Sequence, residues 1–238
     1  ILPFTILGWP DQGLAFDTAV HLGTLVAVLW FFRHDLARLG GALITCARAR
    51  QSTPDSRFAL NLLIASLPII PAGLLAQGLV EGSLRSLDVI IWTTVLFGIL
   101  LYVADKAGRR TRSEAELTWQ QALTIGLAQC IALIPGVSRS GITITAALLT
   151  GFNRESASRI SFLLSIPAIA GAGTLKLFDL INGDAVVDWI PLGVGFVASA
   201  VSAYLCIRWF LACINRMGFT PFVVYRVLLG AVLFTFFA

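Results

Sequence analysis

At 238 residues, with 57% hydrophobic and only 13% charged side chains, the chain lacks the charge that a soluble domain of this length needs to cover its surface. Its net charge of +4 sits in clusters rather than on a face of a binding fold, which argues against nucleic acid as a partner. The four cysteines, Cys46, Cys130, Cys206 and Cys213, show no CxxC or Cys/His spacing, so they read as free thiols and no metal site is expected from them.

Apolar segments near or above the ~18 residues needed to cross a ~30 Å hydrocarbon core recur along the chain. They fall near 14–32, 58–80, 88–104, 160–178, 190–212 and 222–238, with a broken pair at 119–134 and 141–151. The chain is therefore expected to be all-α, one polytopic transmembrane domain over 1–238. Short loops join the segments. Loop 33–57 carries Arg33, Arg38, Arg48, Arg50 and Arg57, and loop 105–118 carries Lys106, Arg109, Arg110 and Arg112. Both are assigned to the cytoplasmic side, where Lys and Arg accumulate and meet anionic lipid headgroups. Loop 81–87 is placed outside. So is 179–189, with Asp179, Asp184 and Asp188, while Arg216 puts 213–221 inside.

Those loop charges make segment 119–151 begin and end on the same side, since 160–178 must start inside, next to Arg154 and Arg159. A segment that enters and leaves on one side is a re-entrant hairpin. Its tip is "PGVSRSG", Pro135–Gly141. Irregular backbone at membrane depth must be buried in protein or face a cavity. A weak internal repeat relates Thr5–Gly23 to Leu148–Ser165 in opposite orientation, the inverted plan of many membrane transporters and enzymes.

The tip has the chemistry of a phosphate cradle. Pro135 ends the incoming helix, and Gly136 and Gly141 let the backbone turn and approach a ligand. The outgoing helix, starting near Ser140, offers free N–H groups to an anion. Ser138, Ser140 and Thr143 add hydroxyls, and Arg139 adds a planar fork suited to phosphate. The plainer reading of the serines and Thr143 is capping and packing. For Arg139 the cost of an intramembrane charge favours function. Asp17 and His21, four apart on one helix face, are either an acid/base or orienting pair or a satisfied polar pair. Arg226, in "FVVYRVLLG", either snorkels to the cytoplasmic interface or forms a second phosphate clamp. His34 and Asp35 look like solvated surface.

"ALIPGVSRSGITITAALLTGFNRESASRISFLLSIPAIAGA" (Ala132–Ala172), with "FDTAVHLGTLVAVLWFF", "ASLPIIPAGLL" and "FVVYRVLLG", resembles the bacterial undecaprenyl-diphosphate phosphatases, the BacA/UppP family, over essentially the whole chain. The resemblance implies a bacterial inner-membrane enzyme of inverted repeats and re-entrant hairpins. Its active site would open to the periplasmic side. It would hydrolyse undecaprenyl diphosphate to undecaprenyl phosphate for cell-wall synthesis, with bacitracin resistance on overproduction. It puts Arg139 on the diphosphate and Arg226 near the site; joined to the residue types of the tip, Ser138 and Ser140 are expected beside them at the reacting diphosphate, with Pro135, Gly136, Val137, Gly141 and Thr143 around the substrate. The family's glutamate-rich motif and its Pro-x-Ser-Ser-x-x-His stretch have no counterpart here, and "ILPFTILGW" resembles the run that follows them. They are therefore expected upstream of Ile1, and a divalent cation (Mg or Ca) would come with them, since no cofactor is visible in these residues. A homodimer stands as a candidate assembly. The rival readings are a transporter or flippase for polyprenyl phosphate or another anion, and a lipid-binding relative without turnover.

Overall fold

The computed structural model describes residues 13–81, 84, 86–182 and 189–237. Among them are ten α-helices: α1 (Gly13–Phe31), α2 (Arg33–Ala49), α3 (Pro54–Ser66), α4 (Ile69–Glu81), α5 (Leu87–Ala107), α6 (Trp119–Cys130), α7 (Arg139–Leu149), α8 (Arg154–Asn182), α9 (Trp189–Met217) and α10 (Thr220–Phe237). Helices satisfy every main-chain group within one segment, which is the reason an apolar chain of this kind is all-helical.

Among the described residues, three segments are long and apolar enough to cross a membrane: Pro54–Ala76, Leu87–Ala107 and Trp189–Met217. A fourth exists if α1 and α2 count as one interrupted span, and Thr220–Phe236 is a shorter apolar helix. Large apolar side chains on these helices face outward, among them Leu75, Trp92, Val194 and Leu205. Inside are small hydroxyl residues, including Ser158, Ser161, Ser165, Thr143 and Thr145. That is the pattern of helices that associate by close approach in lipid rather than by burying greasy faces. The start of the first unit of the proposed repeat, Thr5–Gln12 of Thr5–Gly23, lies outside the described residues, as do Asp184 and Asp188 of the expected acidic loop.

The stretch expected as a basic loop, 33–57, is instead mostly helix. α2 runs to Ala49, and only residues 50–53 separate it from α3. Thr53 and Ser56 form a capping box at the start of α3, with Pro54 in its first turn. Asp35 is not simply solvated surface. It bonds Arg38 at 3.2 Å and Arg159 at 3.0 Å, while Arg38 also bonds Asp55. These pairs give the charged residues partners within the fold, and helix formers such as Leu36, Ala37 and Leu39 extend the turn geometry between them.

Contacts divide the chain into two compact units, Ile1–Arg33 with Ser165–Phe210, and His34–Leu164 with Leu211–Ala238. In the first, α1 packs closely on α9. A side chain at Gly23 would overlap Ser199 and the Phe196 carbonyl, and Phe31 meets Tyr204 edge-on at 5.8 Å.

In the second unit α5 lies against both α10 and α7, and α6 lies against α3 and α7. α6, a single 3-10 turn (Ile131–Leu133) and α7 form the hairpin expected over 119–151. Its arms have 12 and 11 residues, about 18 and 16 Å at 1.5 Å per residue, each too short to cross. The two open ends of the hairpin are tied together. Thr111 N–H and Arg112 N–H donate to the Gly151 carbonyl at 3.1 and 3.0 Å, and Asn153 N–H donates to the Arg112 carbonyl at 2.9 Å. The chain therefore enters and leaves the hairpin at one level.

A buried ion pair holds that end of the unit. Asp105, fully buried, accepts from Arg154 Nε at 2.6 Å and Nη2 at 2.9 Å. Phe219 N–H approaches the same carboxylate at 3.5 Å, so the end of α5, the start of α8 and the turn before α10 converge on it. Removing one partner of such a pair strands the other charge. Asp105→Ala is expected to lower unfolding stability in detergent by about 3 kcal/mol. Thermal unfolding checks this, and an unchanged midpoint would show that the pair does not hold the fold.

Candidate active site

The hairpin tip is built by three carbonyls that a helix break leaves without partners. Pro135 at the break cannot continue the helix, because it lacks an N–H and crowds the preceding turn. The carbonyls of Pro135, Gly136 and Val137 therefore need donors from elsewhere. α5 and α10 supply them. Thr93 Oγ1 donates to the Pro135 carbonyl at 2.7 Å, and Thr94 Oγ1 to the Gly136 carbonyl at 3.3 Å. Arg226 donates through Nη2 to Gly136 at 2.5 Å, through Nη1 to Val137 at 3.0 Å, and through Nε to the Thr94 carbonyl at 3.0 Å. One guanidinium thus closes the turn onto α5.

The fit is tight. Gly136 has φ +90°, and a Cβ there would lie 2.7 Å from the Ile90 carbonyl oxygen. Both the left-handed backbone and the close approach require glycine. At Gly98 a Cβ would meet Arg226 Cβ at 3.3 Å, so this glycine lets α10 come near enough for the arginine to reach the turn. Arg226 is 8% exposed. Its stem does not run out to an interface, so the snorkelling reading fails.

Beyond the turn, α7 begins at Arg139, one residue before the expected Ser140. Ser138 is its N-cap, in the left-handed region at φ 67°, and its Oγ accepts from Gly141 N–H at 3.3 Å. A non-glycine residue held there is a strained feature of the kind found at ligand clamps. Helix geometry leaves the N–H groups of Arg139 and Ser140 without intrahelical acceptors. Ser138 is exposed, and its Oγ lies 3.5 Å from Ser140 Oγ. These N–H and hydroxyl groups crowd one helix N-terminus.

Arg139 differs from Arg226. It is half-buried, and its Nη1 is buried with no hydrogen-bond partner. An unsatisfied buried donor on a cation is costly, and an anion oxygen is the group that would satisfy it. Thr143 turns inward instead: it is 1% exposed, with Oγ1 at 2.9 Å from the Arg139 carbonyl and 2.7 Å from Ser161 Oγ. It braces the first turn of α7 against α8.

Asp17 and His21 belong to the first unit, where both are exposed. His21 Nδ1 lies 2.7 Å from the Asp17 carbonyl oxygen, a ring-to-backbone tie along α1. Among the described residues no group of three His, Cys, Asp or Glu could hold a metal ion.

Sequence reasoning passed over Thr93, Thr94 and Ser161. The adjacent threonines in "IIWTTVLF" were a signal: two hydroxyls in the middle of an apolar span need acceptors. Nothing in the sequence said that those acceptors were 42 residues away.

The family model described as bacitracin resistance protein BacA matches residues 1–232. The chain is 49% identical over 236 residues to undecaprenyl-diphosphatase 2 of Stutzerimonas stutzeri, covering 98% of this chain and 87% of that protein. It is 50% identical over 234 residues to the undecaprenyl-diphosphatase of Teredinibacter turnerae, covering 98% and 89%. With that of Alcanivorax borkumensis the identity is 52% over 233 residues, covering 98% and 88%. A match of this length, carried through the hairpin tip and the helix that holds it, places the chain in the BacA bacitracin resistance protein family.

Proposed function

We propose that this protein is an integral membrane phosphatase that hydrolyses undecaprenyl diphosphate to undecaprenyl phosphate and inorganic phosphate, recycling the lipid carrier of cell-wall synthesis. The observation that carries the reading is the buried, partnerless Nη1 of Arg139 at the N-terminus of α7. Relatives about half identical over nearly the full length of this chain are named undecaprenyl-diphosphatases. In this reading the protein sits in the bacterial cytoplasmic membrane with the cradle open to the outer side, and the basic residues of α2 and of loop 108–118 lie against anionic headgroups of the cytoplasmic leaflet.

The reaction adds water across a phosphoanhydride. The bond from the bridging oxygen to the terminal phosphorus breaks, and negative charge grows on that oxygen and on the transferred phosphoryl. Positioning and electrostatics supply most of the catalysis of such transfers. Arg139 would meet the phosphoryl oxygens with its fork of donors. The N–H groups of Arg139 and Ser140 would add the helix N-terminus, and the Ser138 and Ser140 hydroxyls would complete the cradle. Pro135, Gly136, Val137 and Gly141 would give the headgroup a close backbone wall. Arg226 acts through that wall: three of its N–H groups are spent on main-chain carbonyls, so it is a positioning residue. Thr143 positions α7 in the same way.

Arg139→Lys is expected to keep the fold and to lose about 100-fold or more of phosphate release, because an ammonium cannot copy the planar fork. Near-normal release by the folded variant would sink the assignment. Arg226→Lys reaches fewer of the three carbonyls, so it should lower both thermal stability and turnover. A normal melting midpoint with lost turnover would instead put Arg226 on the substrate. Release of phosphate from the lipid diphosphate in detergent separates the enzyme from a transporter, because transport requires sealed vesicles and hydrolysis does not. No release by the wild-type protein in detergent favours the transporter or the lipid binder.

A further inference from the structure

Gln129 lies at the end of α6 and is 1% exposed. Its carboxamide has no hydrogen-bond partner at either Nε2 or Oε1. Among the described residues, the only other buried side-chain atom in that condition is Arg139 Nη1. The two residues occupy the two arms of one hairpin.

The register of the arms puts Gln129 near the first turn of α7. Gln121 Nε2, on α6, donates to the Thr150 carbonyl at the end of α7 at 3.3 Å. The arms run in opposite directions from that contact, at about 1.5 Å per residue. Gln129 is eight residues on from Gln121, about 12 Å along α6. Eight residues back from Thr150 is Ile142, in the first turn of α7, the turn that Arg139 opens. Gln129 also continues the buried face of Ala122 and Ile125, so it cannot swing out to water.

A buried amide with neither atom satisfied is destabilising, and apolar replacement of the same shape would relieve it. A Met would fill the same space. The retained amide therefore points to a polar group that is present during function. We propose that Gln129 is a further substrate-positioning residue. Its Nε2 donates to an oxygen of the diphosphate headgroup, beside the Arg139 fork, and its Oε1 accepts from a water that travels with that headgroup. This rests on the phosphatase reading above.

The experiment measures phosphate release from undecaprenyl diphosphate, with thermal unfolding, for the whole protein and for Gln129→Met and Gln129→Glu in detergent. Gln129→Met is expected to unfold at the same or a higher temperature. Its KM should rise about tenfold or more, the size of one hydrogen bond to a charged group, with kcat within about twofold, the signature of lost ground-state and transition-state contact alike. Gln129→Glu places a carboxylate at the headgroup, so its KM should rise further. Wild-type KM and kcat in a Gln129→Met protein of unchanged stability would overturn the proposal and leave the phosphatase reading intact. If Gln129→Met fails to fold, a Gln129→Glu protein that folds with wild-type KM overturns it instead. No release by the wild-type protein would overturn the phosphatase reading itself, and with it the proposal.

Discussion

A helix that stops inside an apolar medium leaves carbonyls that water cannot reach, and each must find a donor in the protein. At the tip of this hairpin the carbonyls of Pro135, Gly136 and Val137 are met by Thr93, Thr94 and Arg226. Much of the second unit is arranged to make that possible. Gly98 lets α10 approach α5, Gly136 lets the turn approach Ile90, and Gly126 lets the first arm of the hairpin lie directly on the main chain of Ala65. A side chain at any of these three would push apart the elements that supply the donors.

Two arginines flank the turn, Arg226 buried and Arg139 half-buried, and they are partnered differently. Arg226 uses all three of its nitrogens on main-chain oxygens, so its charge is spread into the fold's own dipoles. Arg139 keeps a buried donor unused. A protein tolerates the cost of an unmet donor on a cation where a ligand repeatedly meets it. The strained N-cap at Ser138 sits at the same place, between the wall that Arg226 fixes and the helix end that Arg139 opens. The donors that fix the turn thus come from α5 and α10, while the unmet donor belongs to α7.

The far end of the hairpin is governed by charge. Asp105 with Arg154, and Arg159 with Glu114 and Asp35, join residues that the chain separates by 45 or more positions. Together with the bonds between 111–112 and 151–153 they close the mouth of the hairpin. With its mouth and tip both fixed, the hairpin is held as a rigid insert, which is what a site needs if its donors are to be in place before the substrate arrives.

How much of this the sequence determined follows from which physical rule was local. Hydropathy and loop charge are local quantities, and they were enough for the all-helical membrane class and for a hairpin with its turn at Pro135–Gly141. Residue type at that turn was enough to single out Arg139, Ser138 and Ser140 as candidate anion-binding groups. The charge rule misread 33–57 as a loop, because a basic, polar run also forms a helix when its charges find partners such as Asp55 and Arg159. Partners are not local. Whether Arg226 snorkels, clamps or braces depended on what lay opposite it, and only the packing of α10 on α5 placed three carbonyls there. What Thr93, Thr94, Ser161 and Gln129 would face was not legible in the sequence for the same reason. A hydroxyl or an amide in an apolar run announces that something must satisfy it, but only the tertiary structure decides whether that something is a distant carbonyl or a ligand.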